Sequence, residues 1–260
     1  MKRTMLWVSK KYAVQVIAAL VIASAACQTA NADPITTVFN STWTQIAAED
    51  YVGPSGYVNP GYGGQDFDAE YLYYKRNGNT LSIGLQSGFN LVTGRVDYGG
   101  KAYYAGDLAL SFDNNISSYE YAFDFGLLTK DYYVNLVDAD PAGSSDGIDA
   151  SGLYAVTQWN NGVYFTAANP FAMDGGSQIE SGATSAGYDS TLDSYWRIVS
   201  FDITSIGNFA ALDAHWTMSC GNDVIDGHAA APVPEPATML LFGTGISGLA
   251  AWQRRKFRKA

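Results

Sequence analysis

The residues best placed for chemistry lie in one acidic stretch, Asp138-Ala139-Asp140-Pro141-Ala142-Gly143-Ser144-Ser145-Asp146-Gly147-Ile148-Asp149. Counted as a twelve-residue calcium loop, it puts Asp138, Asp140, Asp146 and Asp149 at positions one, three, nine and twelve. Gly143 falls at the sixth position, where such loops turn sharply. Carboxylates held this close repel one another unless a cation lies between them, so the chemistry expected is Ca2+ binding. Two features depart from the pattern: Ala142 takes a usual ligand position, and the closing Asp149 reaches less far than Glu. The flanks alternate like strands, which sets the stretch apart from a helix-flanked EF-hand. A solvated acidic loop accounts for the same residues.

Other chemistries are short of parts. His215 and His228 are the only histidines, so a Ser-His-Asp triad or a His-rich zinc site would have to use them. His215 sits beside Trp216 in an alternating stretch and reads as a hydrogen-bonded core or rim residue. Cys220 is the single cysteine left if Cys27 departs with the N-terminal segment. On a strand, residues an odd number apart face opposite sides, so Cys220 and His215 do not form a catalytic pair. Cys220 reads instead as a buried thiol. The 25 acids offer many pairs for glycoside hydrolysis, too many for one pair to stand out. Tyr71, Tyr73, Tyr119 and Tyr121 fall where core aromatics fall, although Tyr and Trp also build sugar-stacking platforms. The expectation is a protein that is not an enzyme.

The elements that must position these residues are strands. In Asp66 to Tyr74, Phe67, Ala69, Tyr71 and Tyr73 alternate with Asp66, Asp68 and Glu70. Arg76-Asn77-Gly78-Asn79 supplies an Asn-Gly turn, and Thr80 to Gln86 returns as the partner strand. Further strands are expected over Asp107–Asp113, Tyr119–Phe125, Tyr132–Val137, Leu153–Trp159, Val163–Ala167, Trp196–Ile203 and His215–Ser219. Turn residues divide them at Gly99-Gly100, Asn114-Asn115, Asn160-Asn161-Gly162 and Gly175-Gly176, and Ser205 to Ala214 holds a helical turn. Short strands without helical periods predict an all-β fold, a single antiparallel β-sandwich (jelly-roll-like). The organisation expected is 1–32 as a signal peptide, 33–226 as the sandwich body, 227–231 as a spacer and 232–260 as a C-terminal tail with one apolar helix.

Charge separates the ends from the middle. Lys2, Arg3, Lys10 and Lys11 lie at the N-terminus and Arg254, Arg255, Lys256, Arg258 and Lys259 at the C-terminus. Between them stand six basic residues against 25 acidic ones, a net of −19 where the whole chain carries −10. A field of that sign repels nucleic acid and anionic lipid, and no nucleic-acid partner is expected.

The N-terminus runs from a basic region through an apolar stretch, Ala13 to Ala26, to the small-x-small site Ala30-Asn31-Ala32, the pattern of a secretory signal cleaved after Ala32. Ser24-Ala25-Ala26-Cys27 loosely matches a lipidation site, but Ser24 stands where a branched apolar residue is usual. At the other end, Pro232-Val233-Pro234-Glu235-Pro236 is rigid and extended. The 16 apolar residues Ala237 to Trp252 follow. As a helix they reach roughly 24 Å against a bilayer core of about 30 Å, a shortfall that local thinning covers. The basic stop Arg254, Arg255, Lys256, Arg258 and Lys259 stays cytoplasmic, which leaves the body outside.

Val233-Pro234-Glu235-Pro236-Ala237-Thr238-Met239-Leu240-Leu241, the Gly-rich apolar segment and the basic end together resemble the PEP-CTERM sorting signal. The resemblance implies processing by exosortase, a membrane-embedded transpeptidase-like enzyme of exopolysaccharide-producing Gram-negative bacteria. Pro234, Glu235 and Pro236 would be its recognition motif. It implies an exported chain, held transiently in the inner membrane through 237–252 and then placed at the cell surface or in the extracellular matrix. The body resembles exosortase-dependent surface proteins of uncharacterised function, on Phe67–Tyr73, Gly106–Phe112 and His215–Asp223. The function expected is a surface or exopolysaccharide-matrix protein without catalytic activity. The alternatives are a calcium-dependent carbohydrate-binding module and a polysaccharide hydrolase using paired carboxylates.

Overall fold

The computed structural model describes residues 33–49, 64–113, 115, 118–133, 147–206 and 209–230. The expected signal peptide with Ala30 and Ala32, the tail with Pro234, Glu235 and Pro236, and the basic stop Arg254, Arg255, Lys256, Arg258 and Lys259 lie outside them. Among the described residues no helix is long and apolar enough to cross a membrane.

A meander of β1 (Thr44–Ala48), β2 (Ala69–Asn77) and β3 (Thr80–Ser87) starts the fold. The β2–β3 hairpin closes with Asn77 opposite Thr80, and Gly78 takes the left-handed conformation, φ 60°, that its two-residue turn requires. A separate hairpin, β4 (Arg95–Tyr98) and β5 (Lys101–Tyr104), follows. The chain then builds β6 (Leu108–Ser111), β7 (Tyr121–Asp124), β8 (Gly152–Asn160) and β9 (Ala172–Glu180). It returns to the first sheet through β10 (Ala183–Asp189) and β11 (Ser194–Asp202), and ends in the second with β12 (Ala211–Thr217) and β13 (Val224–Ala230). The two large sheets are ordered β1-β2-β3-β11-β10 and β13-β12-β6-β7-β8-β9, with every pairing antiparallel. The fold is all-β, as composition and alternation predict.

One hydrophobic core lies between the sheets. Leu72, Ile83, Leu85 and Phe201 enter it from the five-stranded sheet, and Leu110, Phe123, Leu212 and Trp216 from the six-stranded one. Trp216 is fully buried, donates its Nε1–H to the Gly106 carbonyl at 3.1 Å and meets Phe89 edge-on at 6.0 Å. A second cluster, Ile35, Phe39, Tyr71 and Tyr73, covers the opposite face of the five-stranded sheet. Gly84 makes that possible: a Cβ there would lie 2.2 Å from Cε1 of Phe39, whose ring stacks on Tyr73 at 4.3 Å.

Several elements differ from the sequence pattern for identifiable reasons. Ala69 pairs with Ser87 and Tyr71 with Gln86, so Glu70 is an extra residue, a β-bulge. The bulge resets the alternation. Phe67, Ala69 and Leu72 face the main core while Tyr71 and Tyr73 face the other side, where the sequence pattern put Phe67, Ala69, Tyr71 and Tyr73 together. Asp68 and Glu70 are buried rather than solvated. Gly175 and Gly176, expected as a turn, lie inside β9 at irregularities of its pairing with β8. Val163–Ala167 is not a strand but leads into the 3-10 turn Thr166–Ala168. Tyr132 and Tyr133 lie in a turn. The helical turn expected over Ser205–Ala214 is limited to Thr204–Ile206, and Ala211 to Ala214 belong to β12. Residues 227–230, expected as spacer, continue β13 and pair with β12. At the other end, the Asp33 carbonyl accepts from Gln86 Nε2 at 2.9 Å and Ile35 N–H donates to Gln86 Oε1 at 2.9 Å, which fastens the first described residues to β3.

Acids are buried within this frame. Asp107 Oδ2 accepts from Met173 N–H at 2.7 Å, and Asp124 Oδ1 from Gly126 N–H at 2.6 Å. Asp124 Oδ2 is buried with no hydrogen-bond partner. Burial pushes the Asp124 carboxyl up to about 7, and burial together with the neighbouring Asp124 raises Asp107 well above the carboxylate range. Such acids bind protons more tightly folded than unfolded, so their contribution is greatest at low pH and is lost as pH rises through the folded values. In chelator, thermal stability is therefore expected to fall as pH rises from about 4 to about 7, and Asp124→Asn flattens that slope. A melting temperature independent of pH in the wild type refutes this account. Trp216→Ala removes the largest core side chain and costs about 3–5 kcal/mol, read from the urea midpoint.

Candidate functional site

Strand alternation gives the six-stranded sheet an outer face. In β12, Leu212, Ala214 and Trp216 enter the core, so Asp213 and His215 project the other way. His215 stands directly opposite Asp226 of β13, and their side chains meet at 2.7 Å between Nδ1 and Oδ1. Across the sheet, His215 is in register with Ala109, and Ala109 with Ala122. These two small residues leave depth, which the segment after β8 fills. His215 Nε2 lies 3.0 Å from both the Ala168 and Pro170 carbonyls and so pins that segment to the sheet. The Asn169–Pro170 peptide is cis.

An open groove of about 560 Å³ lies over this face, and Tyr119, Trp159, Asn161, Asn169, His215 and Asp226 line it. Trp159 is held by its Nε1–H donating to the Tyr119 carbonyl at 3.0 Å. The Tyr119 ring lies 5.5 Å from the His215 ring. Its hydroxyl lies 3.4 Å from Asp226 Oδ1. Asn169 Oδ1 is buried without a hydrogen-bond partner among the described residues. The Asp226 side chain is 60 % exposed and faces solvent. The groove therefore offers two aromatic rings, two carboxamides and a carboxylate, which suits a ligand with both apolar faces and hydroxyl groups.

The residues singled out by sequence distribute as follows. Asp138, Asp140 and Asp146 lie outside the described residues. Asp149 accepts from Thr129 N–H at 3.1 Å and adds its charge to the buried pair Asp107 and Asp124. The spacing Gly-x-Ser-x-Gly does occur, at Gly143-Ser144-Ser145-Asp146-Gly147, and Gly143 to Asp146 likewise fall outside the described residues. His215 is a buried, hydrogen-bonded residue, as its place beside Trp216 suggests. His228 pairs with Asp213 at 2.6 Å. Cys220 is a buried free thiol, which burial pushes up to about 12. Tyr71 and Tyr73 are core aromatics, whereas Tyr119 and Tyr121 are only partly buried. Sequence reasoning did not single out Trp159, Asn161, Asn169 or Asp226. The signal that finds Asp226 is its position opposite His215 once residues 211–230 are folded as a hairpin.

No curated protein and no solved structure matches the chain. The family model of the PEP-CTERM protein-sorting motif matches residues 232–256, directly after β13 and across the Pro-Glu-Pro segment, the apolar run and the first basic residues. The chain thus carries a PEP-CTERM protein-sorting motif, which marks it as a surface protein sorted by the exosortase system.

Proposed function

We propose that the protein is a non-catalytic component of the bacterial surface or exopolysaccharide matrix, and that its sandwich body holds glycan in the groove beneath Trp159. The sorting motif supplies the address, and the groove is the observation that carries the binding role. A pyranose ring has an apolar face that packs on an indole, and hydroxyls that Asn161, Asn169 and Asp226 can meet.

Three features favour holding over cleaving. Both His215 nitrogens are occupied by acceptors, so its imidazole is not set up to activate a nucleophile. The Cys220 thiol is buried and remains protonated. Glycoside hydrolysis needs two carboxyl groups flanking the bond, and Asp226 is the one acid among the described residues that line the groove. Calcium-dependent glycan binding through Asp138, Asp140, Asp146 and Asp149 is the second reading. Asp149, turned towards Asp107 and Asp124, gives it less support than the groove has.

The test is titration of the full chain, purified in detergent, with exopolysaccharide from its own host. Binding is expected to quench tryptophan fluorescence, and Trp159→Ala lowers the affinity about 10-fold or more, of the order a stacked aromatic contributes. No release of sugar is expected. Unchanged affinity in both Trp159→Ala and Tyr119→Ala rules out the groove, and steady release of reducing ends rules out the non-catalytic reading. A second experiment concerns address. In the host, Pro234→Ala/Glu235→Ala/Pro236→Ala is expected to leave the chain uncleaved in the inner membrane, while the wild type co-fractionates with extracellular polysaccharide. Cytoplasmic recovery of the wild type refutes it.

A further inference from the structure

Three carboxyl groups converge where the two sheets meet at one edge. Glu49 follows the last residue of β1, Asp68 precedes β2 and Asp223 precedes β13. One oxygen from each lies within 4.8 Å of the others. Asp68 is 1 % exposed and Asp223 0 %, while Glu49 is half-buried. The site is built from fixed backbone. The 3-10 turn Gln65–Phe67 leads into Asp68, whose N–H donates to the Gln65 carbonyl at 3.2 Å. The Asp68 carbonyl accepts from Gly88 N–H at 2.9 Å and from the Ser87 hydroxyl.

The two aspartates differ in what they receive. Asp223 accepts from Ala69 N–H through Oδ2 and from Val224 N–H through Oδ1, both at 2.8 Å. Asp68 has no donor on either oxygen among the described residues. A buried carboxylate without a donor is among the least favourable groups a fold can hold. Its neighbours make matters worse, since Asp223, Glu70 and Glu49 all add negative charge. Glu70 cannot relieve it, because its oxygens already accept from Gln65 Nε2, Gln86 Nε2 and Ser194 Oγ. Among the described residues no lysine, arginine or histidine forms an ion pair with Asp68 or Asp223. A rigid, dry cluster of oxygen ligands with one arm bare of donors is complementary to a cation.

We propose that Glu49, Asp68 and Asp223 form a calcium site that clamps the five-stranded sheet to the first residue of β13. The donors are all carboxylate oxygens, which suits a hard cation rather than zinc or copper. Two of the three residues are sealed from solvent, which leaves little room for the several waters that Mg2+ retains, whereas Ca2+ accepts carboxylate oxygens in irregular number and geometry. Water and the ion can enter on the Glu49 side. An affinity in the class of extracellular modules, a Kd of about 10⁻⁴–10⁻³ M, serves a protein exported to the surface. The site shares no residue with the acidic stretch Asp138–Asp149 or with the groove, although Asp226 of the groove lies three residues after Asp223.

The experiment uses the full chain in detergent, stripped with EDTA and titrated with CaCl2 by calorimetry and thermal unfolding. The wild type is expected to bind calcium and to melt at a higher temperature as calcium is added, with a smaller rise in Mg2+. Asp68→Asn is expected to weaken binding by roughly 10-fold or more, and to melt higher than the wild type in EDTA because the amide avoids the cost of burying an acid beside Asp223, Glu70 and Glu49. Asp138→Asn/Asp140→Asn/Asp146→Asn is expected to retain the calcium response. Because this variant leaves the clamp intact, it decides the matter even if Asp68→Asn does not fold. A wild type without calcium-dependent heat or melting shift at millimolar concentration overturns the proposal. So does loss of the response in the triple variant, or an undiminished response in folded Asp68→Asn.

Discussion

The contact on which the sandwich most depends is the double acceptance by Asp223. One oxygen takes the N–H that opens β2, the other the N–H that opens β13, so a single side chain joins a strand of each sheet. It illustrates how a body of net charge −18 buries acids at all. Six basic residues cannot neutralise 24 acidic ones, and ion pairs are few among the described residues. Met173 N–H serves Asp107, Gly126 N–H serves Asp124 and Thr129 N–H serves Asp149. The buried cation Arg197 mirrors this, because it donates to the Leu91 carbonyl at 2.9 and 2.7 Å and lies over the Phe125 ring. Burial lowers it to about 10. Interior ionisable groups of both signs are met by backbone dipoles, which cost less reorganisation than an ion pair would need in ordering two long side chains.

The strands were legible where alternation and turn chemistry agreed. The β2–β3 hairpin has a Gly that only its turn requires, and β6, β7, β8 and β11 carry apolar residues that face one core. Reading failed where the ladder is irregular. The bulge at Glu70 lets two residues of β2 oppose one of β3, so the face of every later residue inverts, and no local composition announces it. The strands β9 and β10, AMDGGSQIE and ATSAGYD, are polar and half exposed, and their glycines look like turns until their partners are known. The tail was legible for the opposite reason, since its order of Pro-Glu-Pro, apolar run and basic end needs no tertiary partner.

The groove was illegible because it exists only through pairing. Its residues come from β8, β12, β13 and the stretches before β7 and after β8, and each alone is an ordinary strand or loop residue. His215 could be assigned a buried role from its neighbour Trp216, but its partner Asp226 required the β12–β13 register. Asp68 and Asp223 are similar. Asp68 lies within Phe67–Tyr73 and Asp223 at the end of His215–Asp223, yet neither stretch shows by itself that the other completes it.

The end of β13 constrains the sorting step. The strand is paired through Ala230, and the sorting motif begins at residue 232. The expected spacer is therefore reduced to residue 231, and the six residues 231–236 before the apolar run reach about 22 Å when extended at about 3.6 Å per residue. If residues 237–252 are held in a bilayer, the folded body must lie close to the headgroups, with a rigid Pro-rich segment between them. A body of this charge is repelled by anionic headgroups over about a Debye length, roughly 8 Å at physiological salt. The connection is longer than that range, so an extended tether lets the body stand clear of the repulsion while the tail is attached.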